Sequence, residues 1–374
     1  MNVPKLRFKE FNDEWCKEYA GNLCSIQTGK SNTQDKTDDG IYPFYVRSPI
    51  IEKSHKFIFD TEAVLTVGDG VGVGKVFHYI NGKFDCHQRV YMMNNFNKIT
   101  AKYFYYIFSR DFDKRVMKMT AKTSVDSVRY EMIDKMQIFY PTVLEQNKIS
   151  RTLELLDKKI ELQSKKIEDL KLFKKGLLRK EFNNKKCSNK LKECFDFGKA
   201  GGTPKSTNKD YYNGYIPFLS ISDMTTQGKY IYYTDKSITE AGLNNSTAWL
   251  VPKNSIIISM YASYGLVSIN KIDLATSQAM FNMVINKNYV VEYIYYYLYY
   301  LYISSFYNSI VSTGTQSNLN AEQIKLLDIY IPCYKEQKRI HEQFSKIDFK
   351  INLEQKKFNE LLYLKKGLMQ NMFV

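Results

Sequence analysis

The six cysteines (Cys16, Cys24, Cys86, Cys187, Cys194, Cys333) include no CxxC pair, which argues against a zinc ribbon or finger. Free thiols in a reducing cytosol are the simplest account of them, which makes a cytoplasmic location the expectation. The four histidines (His55, His78, His87, His341) contain no HExxH and no paired metal spacing. His87 adjoins Cys86, but two adjacent residues are a weak ligand signal. No serine or cysteine has the context of a nucleophile elbow. The start MNVPKLRFKEF has no apolar h-region, so no secretory signal is visible. Residues 293–321 carry no formal charge, but their apolar opening YIYYYLYYLYI is short and mostly tyrosine, where a membrane span needs roughly 20 apolar residues. A buried or half-buried helix followed by a polar loop is expected there.

Other chemistries are missing too. The run Gly68-Asp69-Gly70-Val71-Gly72-Val73-Gly74-Lys75 is not GxGxxG, because position 73 is valine. It is not a P-loop either, because position 69 is not glycine and position 76 is not Ser or Thr. A plain tight turn and a hairpin against DNA phosphate both remain open for it. No NPPY or DPPY, the tetrapeptide of adenine methyltransferases, is present. Acidic–lysine patterns such as Glu168-Asp169-Leu170-Lys171 recur by chance on charged helices and do not define a nuclease. No residue set identifies a catalytic centre, and no metal ligands are assigned.

What is present begins with charge. Lys+Arg number 54 against 39 Asp+Glu, a formal net charge of +15 over 374 residues. An anionic partner, nucleic acid first, fits that balance, and so does a solvated lysine-rich surface. The length suggests two or three domains, each able to bury a core.

The strongest feature is an internal repeat. A shift of 191 residues lays Pro141, Glu145, Gln146 and Ile149 on Pro332, Glu336, Gln337 and Ile340. It lays Asp157, Lys159, Ile160 and Leu162 on Asp348, Lys350, Ile351 and Leu353. Lys174, Lys175, Gly176, Leu177 and Phe182 fall on Lys365, Lys366, Gly367, Leu368 and Phe373. Upstream, Tyr105, Tyr106, Glu131 and Ile133 meet Tyr296, Tyr297, Glu322 and Ile324. Earlier parts match only with gaps, as GIYPF at 40–44 does with GYIPF at 214–218. Each copy is a variable globular region followed by a helical one.

In the first helical region Ile149, Leu153, Leu156, Ile160, Gln163, Ile167, Leu170, Lys174 and Leu177 step by alternating four and three. In the second, Ile340, Phe344, Ile347, Ile351, Glu354, Phe358, Leu361, Lys365 and Leu368 do the same. That period is a coiled-coil seam. Each region follows a proline, Pro141 or Pro332, which suits a helix start. A helix of about 38 residues measures about 57 Å at 1.5 Å per residue. Neither can bury its own seam, so the two are expected to pair with each other. An antiparallel pair places the globular regions at opposite ends and gives an approximate internal two-fold axis, whereas a parallel pair crowds them. The polar seam positions (Gln163 with Glu354, Lys174 with Lys365) either fix register or mark fraying or a subunit contact.

The order of globular region, helix, globular region and helix resembles the specificity (S) subunit of type I restriction–modification enzymes. Pro4-Lys5-Leu6-Arg7-Phe8-Lys9-Glu10-Phe11 with Glu14-Trp15 looks like the family's amino terminus. Gly201-Gly202-Thr203-Pro204-Lys205 and Gly214-Tyr215-Ile216-Pro217-Phe218 look like the opening of a target-recognition domain, and Gly314-Thr315-Gln316-Ser317-Asn318-Leu319-Asn320 like its closing loop. Ile331-Pro332, Glu336-Gln337, Ile340 and Lys365-Lys366-Gly367-Leu368 look like the start and end of a family helix. The first half departs from this pattern, with Gln27-Thr28-Gly29-Lys30 in place of the GGTPK run and Thr120-Ala121-Lys122-Thr123-Ser124-Val125 in place of STGTQS.

The resemblance implies an α+β protein. Two mixed α/β target-recognition domains, 1–140 and 185–331, alternate with spacer helices, 141–184 and 332–374, that pair as an antiparallel coiled coil with a pseudo-two-fold repeat. It implies a subunit that is not itself an enzyme and binds no cofactor. Each domain reads half of a bipartite double-stranded DNA target, and the helices set the spacer. Two modification (methyltransferase) subunits dock on the helices, and restriction (translocase and nuclease) subunits join them. S-adenosylmethionine, ATP and Mg belong to those partners, and no membrane is involved. Rigidly spaced readers on one face of a duplex imply half-sites roughly 34–36 Å apart, and an exposed coiled-coil flank suits a docking subunit.

Phosphate contacts give affinity and base-edge contacts give specificity, with Asn and Gln suited to adenine and Arg and Lys to guanine. The candidates in polar loops are Lys30, Ser31, Arg47, Lys75, Gln88, Arg89, Lys122 and Ser124 in the first domain. In the second they are Thr203, Lys205, Ser206, Ser222, Tyr261, Tyr264, Gln278, Thr315, Gln316 and Asn318, of which Gln316 and Asn318 rest on the family-like loop. The tyrosines Tyr295, Tyr296, Tyr299, Tyr300 and Tyr302 suit core or subunit packing, with base stacking as the alternative. Two other classes are separable by experiment. A diverged methyltransferase or nuclease would bind S-adenosylmethionine or cut alone. A non-enzymatic coiled-coil adaptor with two protein-binding domains would show no salt-sensitive DNA binding.

Overall fold

The computed structural model describes residues 3–70, 72–119, 127–183, 185–187, 189–261, 263–311 and 318–374. Contacts divide the chain into one unit of Met1–Ser164 with Lys356–Val374 and another of Lys165–Gln355. The divisions fall inside the two long helices, whereas the boundaries read from the repeat fall at the helix ends.

In the first unit, β1 (Cys16–Tyr19), α1 (Ala20–Leu23), β2 (Ser25–Thr28), β3 (Tyr42–Tyr45), β4 (Ile51–Ser54), β5 (Phe59–Val67), β6 (Phe77–Cys86) and β7 (Val90–Asn94) precede α2 (Ala101–Met119). After α2 come α3 (Tyr130–Asp134), β8 (Gln137–Tyr140) and the long helix α4 (Val143–Phe182). The sheet order is β2-β7-β5-β6-β3-β4, with β1 paired to β8. The central strand β5 ends in the fully buried run Ala63–Val67, as β-branched and apolar residues between two neighbours should. Helix α2 lays Tyr103, Phe104, Ile107, Phe108, Phe112 and Val116 into the core at helical spacing. Phe108 meets Phe77 of β6 edge-on at 5.6 Å.

In the second unit, β9 (Asn189–Lys190), β10 (Phe195–Ala200), β11 (Tyr212–Leu219), α5 (Ile221–Gln227), β12 (Tyr230–Ile231), β13 (Lys236–Ile238) and α6 (Glu240–Asn244) come first. There follow β14 (Ile256–Ser259), β15 (Val267–Asn270), β16 (Ala275–Thr276), β17 (Met280–Ile285), α7 (Val291–Ile303), α8 (Ala321–Lys325), β18 (Asp328–Ile329) and the long helix α9 (Tyr334–Asn371). The sheets run β10-β17-β14-β15-β12, β13-β11-β16 and β18-β9. Helix α7 is the tyrosine run. Tyr293, Tyr295, Tyr296 and Tyr297 are buried, Tyr299, Tyr300 and Tyr302 are half-buried, and Phe182 and Phe344 stack near them. These tyrosines are core. No helix among the described residues is long and apolar enough to cross a membrane.

The long helices pack together antiparallel. In the second unit Lys166 pairs with Glu354 (2.9 Å), Lys174 with Asp348 (2.5 Å) and Glu181 with Arg339 (3.3 Å), so position rises along α4 as it falls along α9. In the first unit Asp157 of α4 pairs with Lys365 of α9 at 2.5 Å. Ile149, Leu153, Leu156, Ile167, Ile340 and Phe344 are buried. Ile160, Leu170, Leu177, Ile347, Ile351, Phe358, Leu361 and Leu368 are half-buried. Leu178 and Phe182, the latter beyond the seam positions, are buried as well, in the core that contains α7. Three of the four polar seam residues, Lys174, Lys365 and Glu354, are ion-paired across the helices, which favours register over fraying.

The matched aspartates each hold a tether, although the tyrosines that reach them, Tyr106 and Tyr296, are offset by one position in the repeat. Asp157 accepts a hydrogen bond from the Tyr106 hydroxyl of α2 (2.9 Å), and Asp348 accepts one from Tyr296 of α7 (2.7 Å). Each aspartate therefore joins its domain helix to both long helices. At the head of each long helix, a buried glutamine closes open backbone. Gln146 accepts from the Thr100 N–H and donates to the carbonyls of Lys98 and Pro141, and Gln337 accepts from the Val290 N–H and donates to Pro332. Arg7 reaches the buried Glu145 through two bonds of 2.8 Å, which fixes the amino-terminal segment on α4.

The second tether carries an extra cation. Lys229 donates to the Tyr296 hydroxyl (2.7 Å) and stands 3.8 Å from Asp348. Burial pulls its ammonium down to about 8, against the opposing pull of Asp348 and Glu292. Asp348→Ala strands two lysines whose side chains are each 12% exposed, and is expected to lower unfolding free energy by about 3 kcal/mol. Asp157→Ala strands only the more open Lys365, 32% exposed, and should cost about 1 kcal/mol. Denaturant titration of both variants checks the difference. The depressed Lys229 value means the folded chain binds fewer protons than the unfolded one between pH 8 and the ordinary lysine range, so this group's contribution to stability rises with pH. The buried cysteines, pushed up to about 12, pull the opposite way above pH 9. The clean measurement is therefore a comparison with Lys229→Met, against which the unsubstituted chain should gain about 2 kcal/mol from pH 8 to 10.

Candidate nucleic-acid interface

Each unit has the same backbone scaffold where its own polar loops converge. Thr28 lies opposite Tyr91 in the β2–β7 pair, and Ala200 opposite Phe281 in the β10–β17 pair. The next residue is a glycine in both units. Gly29 donates to the Val90 carbonyl and Gly201 to the Met280 carbonyl, each at 3.0 Å. Lys30 N–H to Cys86 O (3.2 Å) answers Gly202 N–H to Thr276 O (2.9 Å). Gly68 N–H to Arg89 O (2.7 Å) answers Met260 N–H to Ala279 O (2.8 Å), and Val128 N–H to Gly68 O (2.7 Å) answers Leu319 N–H to Met260 O (2.8 Å). The parallel pairs Tyr45–Cys86 and Leu219–Thr276 complete the correspondence.

Several segments therefore converge in each unit: the stretch after β2 or β10, the loop after β5 or β14, the turn before β7 or β17, and the approach to α3 or α8. The glycine is what permits it. A Cβ on Gly29 would lie 2.1 Å from the Cys86 carbonyl oxygen, and one on Gly201 would lie 2.2 Å from that of Thr276.

In the first unit Lys30, Arg47, Lys75, Gln88 and Arg89 are exposed. Arg47 and Arg89 both face Asp69, at 3.4 and 3.8 Å. Gln88 donates its amide to Asn32 at 2.7 Å. Burial, and then the nearby Arg47, lowers the pKa of His87. Ser31 corrects the expectation of a surface contact. It is 2% exposed, and its hydroxyl donates to both oxygens of Asp85 at 2.7 and 2.8 Å. Burial pushes the Asp85 carboxyl up, and the bonds from Ser31 and the Cys86 N–H counter that, so the pair is internal support beneath the turn.

In the second unit Thr203, Lys205, Ser206, Ser222, Tyr261 and Gln278 are exposed. The Thr203 hydroxyl donates to the Gln278 side-chain oxygen. Tyr264 is half-buried and donates to Asn308 at 2.8 Å. Ser222 lies in the first turn of α5, 2.8 Å from the capping Ser220 hydroxyl. Asn318 is half-buried beside Leu319, the residue that seats this segment on Met260. Lys122, Ser124, Thr315 and Gln316 lie outside the described residues. Sequence reasoning passed over Asp69 and Asn32. Asp69 stood in view within the glycine run, but its arginine partners come from two other loops. Among the described residues no group of three or more His, Cys, Asp or Glu is placed to hold a metal ion.

A family model for the type I restriction modification DNA specificity domain matches residues 12–172 and 185–363. The chain belongs to the type I restriction modification DNA specificity family. The MjaIX specificity subunit of Methanocaldococcus jannaschii is 30% identical over 176 residues, 46% of this chain and 40% of that protein. The HindI specificity subunit of Haemophilus influenzae is 27% identical over 178 residues, 46% of this chain and 38% of that protein. The chain thus spans about two fifths of the length of these relatives. The crystal structure of the type I S subunit from M. genitalium aligns over 100% of this chain and 99% of that one, with TM-score 0.65 at 18% identity, so it shares this specificity chain's fold.

The scaffold of this specificity chain makes a contrast testable with glycines. Gly29→Ala and Gly201→Ala drive a methyl into backbone and should each destabilise by about 1–3 kcal/mol. Gly176, in mid-helix with nothing within 4 Å of its Cβ position, should instead gain up to about 1 kcal/mol on substitution by alanine. Thermal or denaturant unfolding of the three variants checks both signs.

Proposed function

We propose that this chain is the non-catalytic, DNA-reading subunit of a type I restriction–modification complex, each unit contacting one half of a bipartite target. The supporting observation is the doubled scaffold. The same hydrogen-bonded frame occurs once per unit, but it carries Lys30, Arg47, Gln88 and Arg89 in one and Thr203, Lys205, Tyr261 and Gln278 in the other. A common frame with different polar side chains suits two different short sequences. The charge of +15 supplies sequence-independent attraction to phosphate.

The helix pair serves as spacer and as platform. Leu155, Leu162, Leu172, Phe173, Phe349, Leu362 and Tyr363 are exposed on α4 and α9 outside the seam, an apolar surface suited to protein docking. Two methyltransferase subunits dock there, and restriction subunits complete the assembly. S-adenosylmethionine, ATP and Mg act on those partners, and this chain itself holds none. Co-expression with the methyltransferase from the same locus, followed by mapping of adenine methylation on plasmid DNA, tests the reading. Methylation of one split motif, lost when this chain is omitted, is expected. A stable complex that methylates no motif would favour a coiled-coil adaptor instead.

A further inference from the structure

The turns before β7 and β17 read His87-Gln88-Arg89-Val90 and Ser277-Gln278-Ala279-Met280. The hydrogen bonds put them in register residue by residue: the 89 and 279 carbonyls accept from Gly68 and Met260, and the 90 and 280 carbonyls accept from Gly29 and Gly201. Each turn is closed by a bond from its fourth residue to its first, Val90 N–H to His87 O (2.8 Å) and Met280 N–H to Ser277 O (3.2 Å). The residues on either side differ between the units, but the glutamine between them does not. We infer that Gln88 and Gln278 are counterpart base-reading residues, each making the same side-chain amide contact to an adenine in its own half-site.

Four observations carry this. Both side chains are exposed at the tip of a turn whose backbone is held by neighbouring strands and loops. Both amides are oriented by one partner from the segment after the glycine, Asn32 for Gln88 and Thr203 for Gln278. A glutamine amide offers a neutral donor and acceptor side by side, the match for adenine N6 and N7 in the major groove. Lysine and arginine suit phosphate or guanine instead, and Lys30, Arg47, Arg89 and Lys205 are exposed for those roles. Asn32 and Thr203 act as positioning residues for the amides. What varies between the units, Arg47 and Arg89 against Tyr261 and Lys205, then accounts for half-sites that differ elsewhere.

This inference rests on the DNA-reading proposal. Its test uses the full chain in complex with the methyltransferase, comparing the unsubstituted protein with Gln88→Ala and Gln278→Ala. Binding and methylation are measured on duplexes in which each motif position is changed in turn. Circular dichroism and unfolding midpoints confirm that both variants fold. Each substitution should relax one position only, an adenine, in one half-site only, with discrimination there falling about tenfold to a hundredfold. The two variants should affect opposite halves. A uniform loss of binding on all sequences with a shallower salt dependence would mark phosphate contacts and overturn the assignment. An unchanged motif in both variants would overturn it too, while leaving the DNA-reading proposal standing. If the unsubstituted complex methylates no split motif, the DNA-reading proposal fails, and this inference fails with it.

Discussion

A carboxylate at a helix–helix seam is destabilising unless it is paired, and Asp157 and Asp348 are both placed there. Each is satisfied by a lysine from the opposite long helix and by a tyrosine hydroxyl from its own domain helix. The lysine comes from the antiparallel pairing and the tyrosine from the domain helix beside it. A slip of one heptad would part each aspartate from its lysine on the opposite long helix, so the ion pairs select the register that the apolar residues alone would leave loose. The same carboxylates tie α2 and α7 to the helices, so helix pairing and domain attachment share one set of contacts.

Much of this was legible in the sequence. The repeat laid Asp157 on Asp348 and Lys174 on Lys365, and the four-three stepping picked out positions that are buried or half-buried. Antiparallel pairing followed from chain connectivity. What it could not give was partner identity, because Asp157 and Lys365 lie far apart in sequence and belong to different copies. Leu178 escaped the heptad reading because it lies one residue beyond Leu177, in a core that draws on α7 as well as on Ile340 and Phe344 of the opposite helix. The tyrosine run could be read as core or as a stacking surface until the rings of Phe182 and Phe344 were seen against it.

The candidate interface was less legible. Ser31 looked like a loop hydroxyl, yet Asp85, 54 residues away, holds it inside. The correspondence of Gly29 with Gly201 needs gaps in the sequence and becomes definite only through strand register and carbonyl acceptors. A scaffold defined by backbone hydrogen bonds leaves little trace in side-chain identity, except at the glycines that must admit a carbonyl. That is also why such a frame can carry different readers: replacing exposed side chains at the loop tips does not disturb the bonds beneath them.

The central claim is that matched aspartate–lysine pairs fix the helix register. A double-mutant cycle on Lys174→Met and Asp348→Leu, read by denaturant unfolding, tests it most directly. The account predicts a favourable coupling of at least about 1 kcal/mol, with the double variant more stable than the sum of the single losses allows. Coupling within about 0.3 kcal/mol of zero would mean the two charges act independently, and would contradict it.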